Sequence, residues 1–143
     1  MMTYKKNNMD IETYSSLALR TASSADDTLV HAALGIAGEA GEIADYIKKV
    51  AFNGKQLDID HLIEEIGDQM WYLNLLVTSL GHSWSYVLEV NVAKLEARYP
   101  QGKFDADRSL NRDLAAEQTA IMALKVAYIG QKRVVGVDVG QGD

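Results

Sequence analysis

The chain has 143 residues, 48% of them hydrophobic, with one proline and a formal net charge of −6. That suits a single domain with an apolar core and, with no basic stripe, gives no footing for nucleic-acid binding. There is no cysteine, which excludes disulfides, thiolate metal sites and a cysteine nucleophile.

No apolar run approaches about 18 residues, and the opening MMTYKKNNMD lacks the apolar stretch of a signal peptide. The expectation is a cytoplasmic protein without a membrane partner. Residues 1–8 are polar. Asp10 is placed to cap a first helix running to about Arg20, with Ile11, Tyr14, Leu17 and Leu19 among its apolar residues. Ser23, Ser24, Asp26 and Asp27 form a turn-like cluster that offers caps for a second helix, from about Thr28 to about Val50. Its stripe is Leu29, Ala32, Ile36, Ile43, Ile47 and Val50. Asn53 and Gly54 end it. Asp58 or Asp60 caps a third helix to about Leu80, striped by Leu62, Ile66, Leu73, Leu76 and Leu80. Gly81 stops that helix, and Ser83 opens a fourth, which Pro100 and Gly102 close near Tyr99. A fifth, Ala-rich helix is predicted from about Asp105 to Ala127. The end, QKRVVGVDVGQGD, offers either a short strand or a loose tail. The fold class is therefore all-α: a bundle of four to five helices with an antiparallel pair at its core.

Two acid pairs, Glu39-x-x-Glu42 and Glu65-x-x-Asp68, stand on the second and third helices. A spacing of three puts both acids of a pair on one helix face. At about 100° per residue, each pair borders its helix's apolar stripe and does not point straight to water. Both pairs lie roughly 12–15 Å from the connecting loop, so antiparallel helices bring them opposite each other. Most acid pairs at this spacing only solvate a face. Four acids beside two buried seams repel one another unless a hard cation sits among them. The expected metal ligands are Glu39, Glu42, Glu65 and Asp68, and the expected ion is Mg²⁺, with Mn²⁺ as a substitute. Mg²⁺ in such a setting points to phosphate chemistry. One of these acids, or adjacent Glu64, would orient or deprotonate the attacking water.

Asn91, Lys94 and Arg98 share a seam on the fourth helix. They supply the charge and directed donors that phosphate oxygens need, or else form surface ion pairs with Glu89 and Glu96. Arg108, Asn111 and Arg112 would extend that patch. Gly35, Gly38 and Gly41 punctuate the second helix, each at a cost of about 1 kcal/mol against alanine, which calls for close approach by a helix or by a ligand. Trp71 and Tyr72 either stack on a base or pack in the core. His61 is either a neighbour of the acids or a surface residue. No histidine has the ferritin-like di-iron spacing.

The segments LGIAGEAGEIADYIKK and EEIGDQMWYLNLL resemble the MazG-type all-α nucleoside triphosphate pyrophosphohydrolases, in particular their compact, phage-like single-domain members. NVAKLEARYPQGKF and SLNRD resemble the same family's downstream signature, and LALRTA its first helix. The resemblance covers roughly residues 10–114. It implies a MazG-like domain over 1–114; the C-terminal helix and Gly/Val-rich tail over 115–143 have no counterpart in it and serve assembly or are dispensable. It implies Mg²⁺-dependent hydrolysis of nucleoside triphosphates to monophosphate and pyrophosphate, for nucleotide-pool sanitation, by a homodimer or homotetramer. Carried onto this chain, the metal ligands are Glu39, Glu42, Glu65 and Asp68, and the phosphate ligands Asn91, Lys94 and Arg98. The alternatives are a non-catalytic helical assembly module and a nucleotide-binding regulator.

Overall fold

The computed structural model of the chain describes residues 9–23 and 28–134. Among them are six α-helices, one short 3-10 turn and no strand, the all-α class the sequence predicts. Helix α1 spans Ile11–Ala18 and runs into the 3-10 turn Leu19–Thr21. Then come α2 (Thr28–Phe52), α3 (Ile59–Ser79), α4 (Trp84–Arg98), α5 (Ala106–Leu110) and α6 (Leu114–Val134). Among the described residues no helix is long and apolar enough to cross a membrane. The chain forms two compact units, Met1–Trp84 and Ser85–Asp143. The sequence-level boundary near residue 114 falls inside the second unit, at the first residue of α6.

The helix ends follow local chemistry. The Asp10 carboxylate accepts the Thr13 N–H at 2.7 Å. Of the two caps considered for α3, Asp58 serves: it accepts from the Asp60 and His61 N–H groups at 3.1 and 3.2 Å. The caps expected for α2 at Ser24, Asp26 and Asp27 lie outside the described residues. Gly54 takes φ 69°, a left-handed turn that suits glycine, and the Lys55 N–H returns to the Lys49 carbonyl at 3.2 Å. Gly81, at φ 71°, ends α3 in the same way.

In the first unit Ala32, Tyr46, Leu75, Val77 and Trp84 are buried, together with Asn74. Asn74 satisfies both ends of its amide: it accepts the Trp84 indole N–H at 2.8 Å and donates to the Ser15 carbonyl at 3.3 Å. The Trp71 indole N–H donates to Thr21 Oγ1 at 2.8 Å, tying α3 to the turn after α1. Many expected stripe residues remain half-exposed, including Leu29, Ile47, Ile66 and Leu80. The stripes are wider than the described residues cover.

In the second unit the predicted single helix over 105–127 is corrected to two. Asp105 caps α5 by accepting the Arg108 N–H at 3.1 Å, and Asp113 caps α6 by accepting from Ala116 at 2.9 Å. Between them the Arg112 side chain turns to Glu117, which is 3% exposed. Arg98 meets the same carboxylate at 2.9 and 3.1 Å. A break at residues 111–113 lets two arginines share one buried acid. Helix α6 runs on to Val134 and so takes in the first four residues, 131–134, of the segment expected as a strand or loose tail; the rest, residues 135–143, lies outside the described residues.

Candidate metal centre

The acids are positioned by the register between α2 and α3. A Cβ added to Gly35 would fall within the Tyr72 ring, so these helices touch there backbone to ring. At the other end the Tyr46 ring stands 4.5 Å from that of His61, edge-on at 66°. One helical turn inward from Gly35 and Tyr72 come Glu39 and Asp68. One turn inward from Tyr46 and His61 come Glu42 and Glu65. An antiparallel pair anchored at both ends must therefore set the two acid dyads face to face. Tyr72 is spent on packing against Gly35, and Trp71 on its bond to Thr21, so both aromatics serve the scaffold.

Glu39, Glu42 and Glu65 each bring one carboxylate oxygen to within 4.8 Å of the others. Asp68 is outside this trio but near enough to act on it. Partial burial, then the negative charges of Glu42, Asp68 and Glu65, hold the Glu39 carboxyl above its ordinary value. Burial and the charge of Asp68 likewise raise the Tyr14 phenol, which places α1 beside the acids. Asp45 makes the contrast. It is the third acid at this spacing on α2, but Lys48 and Lys49 bind it at 2.5 and 2.6 Å and lower it to about 2. Among the described residues no lysine or arginine forms an ion pair with Glu39, Glu42, Glu65 or Asp68; Glu65 has only His61, at 3.6 Å. Glu64 is exposed on α3, outside the trio.

The donor set fits a hard divalent cation. All three donors are carboxylate oxygens. Carboxylate oxygens are the ligand type a hard cation such as Mg²⁺ takes. The Gln69 side-chain oxygen, one turn after Glu65 on the same face of α3, is buried with no hydrogen-bond partner. Water around an ion would supply its missing donor.

Beside the trio opens a cavity of about 280 Å³. Glu42, Asp45 and Glu65 line it together with Lys49, Lys55 and His61, around the Tyr46 ring. Gly38 and Gly41 line it too, and a Cβ on either would meet nothing within 4 Å. Of the three glycines in α2, only Gly35 is explained by helix packing. Sequence reasoning did not find Tyr46, Lys49 and Lys55. The clue to Lys55 was Gly54, whose left-handed turn folds the following residue back on α2.

The residues expected to hold phosphate belong to the second unit. Asn91 is exposed on α4, and Lys94 is half-buried. Arg98 is half-buried and committed to Glu117, not to Glu89 or Glu96. Glu117 is lowered to about 2 by Arg112 and Arg98.

The MazG nucleotide pyrophosphohydrolase domain matches residues 28–103, more than half the chain, and takes in both acid dyads. The chain belongs to this family. The MazG segment runs from the start of α2 through α4 to the turn at Gly102, leaving α1, α5 and α6 outside it. The "Gene 37 protein" of Mycobacterium phage L5 is 37% identical over 78 residues, which is 52% of this chain and 68% of that protein. No solved structure matches. Membership implies a nucleotide substrate, and MazG proteins generally use divalent metals.

Proposed function

We propose that this chain hydrolyses nucleoside triphosphates to nucleoside monophosphate and pyrophosphate, with Mg²⁺ or in its place Mn²⁺, and so removes unwanted nucleotides from the pool. One observation carries the reading. Three carboxylates converge within 4.8 Å, unpaired by lysine or arginine, inside the MazG segment. Glu39, Glu42 and Glu65 hold the ion, with Asp68 completing its negative surroundings. A bound Mg²⁺ supplies positive charge to the phosphate oxygens and favours ionisation of the attacking water. One of the four acids, or Glu64, orients that water. Asn91 and Lys94 are the proposed donors to the phosphates; Arg98, the third residue expected there, is bonded to Glu117.

The reading includes a homodimer or homotetramer. Leu34, Ile59, Ile63 and Ile66 are 68, 64, 60 and 54% exposed on α2 and α3, more apolar side chain than two helices of a small monomer usually leave to water.

The test is product analysis. Each nucleoside triphosphate is incubated with the protein in Mg²⁺ and, separately, in EDTA. Monophosphate plus pyrophosphate in Mg²⁺ alone is expected. Orthophosphate and diphosphate would point to different chemistry, and binding without turnover to a regulator.

A further inference from the structure

We propose that Lys55 holds the part of the substrate that departs as pyrophosphate, in the cavity next to the acid trio. The inference rests on the triphosphate reading above. Its ground is the sign of the cavity walls. Glu42, Asp45 and Glu65 line the cavity together with Lys49 and Lys55, within the same 280 Å³. A site for a bare cation needs only the acids, and a site for a bare anion only the lysines. A metal-bound polyphosphate carries both charges and needs both.

Lys55 is set apart from the other lysines of this region. Lys48 and Lys49 are both paired with Asp45. Lys55 has no carboxylate partner among the described residues; its ammonium lies 4.2 Å from the centroid of the Tyr46 ring. That ring is a fixed platform. Tyr46 is 4% exposed, and its hydroxyl accepts the Asp58 N–H at 2.7 Å. The Gly54 turn and the bond from the Lys55 N–H to the Lys49 carbonyl hold the lysine's backbone at the cavity edge. An ammonium held on an aromatic face, with no carboxylate partner among the described residues, keeps its donors for an arriving phosphate. In hydrolysis the water oxygen bonds to the α-phosphorus and gives up a proton to one of the acids beside it, while the bond from the α-phosphorus to the α,β-bridging oxygen breaks. The electron pair leaves with pyrophosphate, and positive charge beside that group stabilises it as it departs.

The experiment is calorimetric titration of pyrophosphate, and separately of a nucleoside monophosphate, into the full chain in Mg²⁺, for the unaltered protein, Lys55→Met and Lys55→Arg. Methionine keeps a stem over Tyr46 and loses the charge. Pyrophosphate affinity should fall about ten- to hundred-fold in Lys55→Met, the range a charge-assisted hydrogen bond supports. It should recover in Lys55→Arg, and monophosphate affinity should change less than about two-fold in either variant. Unchanged pyrophosphate affinity in Lys55→Met would overturn the assignment. So would an equal loss for both ligands, or no pyrophosphate binding by the unaltered protein. Binding needs no turnover. A protein that holds pyrophosphate through Lys55 but hydrolyses no triphosphate would sink the hydrolytic reading and leave this subsite standing.

Discussion

Replacing the three helical glycines of α2 one at a time separates packing from ligand space. Alanine in place of a mid-helix glycine stabilises by about 1 kcal/mol where nothing opposes it. At Gly38 and Gly41 nothing does, because an added Cβ meets no atom within 4 Å. Each substitution should raise the melting temperature by about 3–5 °C in a domain of this size. At Gly35 the new Cβ would land within the Tyr72 ring, whose near edge includes Cγ and cannot simply swing away. Overpacking of that kind costs about 1–3 kcal/mol, which cancels or exceeds the propensity gain, so Gly35→Ala should melt at the same temperature or several degrees lower. Function should run the other way. Gly38→Ala and Gly41→Ala place methyl groups in the cavity beside Glu42 and Glu65, so KM for the triphosphate should rise. Melting curves by circular dichroism and steady-state kinetics read the two effects. Destabilisation by Gly38→Ala and Gly41→Ala would show that something packs on these glycines. Stabilisation with unchanged KM would show that no ligand uses the space they leave.

Glu65→Gln removes one of three converging charges and should cut turnover at least about 100-fold with helicity retained, as circular dichroism and kinetics together would show; near-native turnover would remove Glu65 from the metal site. Asn74→Ala leaves the Trp84 indole N–H without its acceptor in the core and removes one of the two donors to the Ser15 carbonyl, the other being the Leu19 N–H. It should cost about 1–3 kcal/mol by urea unfolding, and an unchanged midpoint would count against that clasp. The stabilisation from Glu117 has a defined pH window. Its carboxyl is lowered from 4.5 to about 2 in the folded chain, so its contribution is full above about pH 4.5 and is lost as pH falls toward 2. The melting temperatures of the unaltered protein and Glu117→Gln should therefore lie far apart at neutral pH and converge on acidification. A gap that stays constant would contradict the pairing with Arg98 and Arg112.

The antiparallel pair and its facing acids were legible because they depend on local rules. Spacing within each helix, a glycine between the helices and equal distances from the loop together bring Glu42 opposite Glu65. The break at residues 111–113 was not legible. The Ala-rich stretch is helical in period throughout, which hid the local cap at Asp113, and the break also answers a tertiary demand, Glu117 drawing in both Arg112 and Arg98. The same demand explains Arg98, which the helical wheel offered to phosphate or to nearby Glu89 and Glu96. Its partner lies 19 residues away, where no local pattern reaches. Lys55 was hidden for a similar reason. As sequence it is one lysine in a polar loop, and only the left-handed turn at Gly54 sets its ammonium over Tyr46. Gly35 and Gly38 looked alike in the chain. The helix facing them makes one a contact and leaves the other open to the cavity.

The most direct measurement is a Mn²⁺ titration followed by electron paramagnetic resonance, with the unaltered chain beside Glu42→Gln and Glu65→Gln. Loss of the free-ion signal on adding the unaltered protein, and its persistence with either variant, is the predicted result. Equal Mn²⁺ uptake by all three proteins, or none by any, would contradict a divalent centre built from these carboxylates.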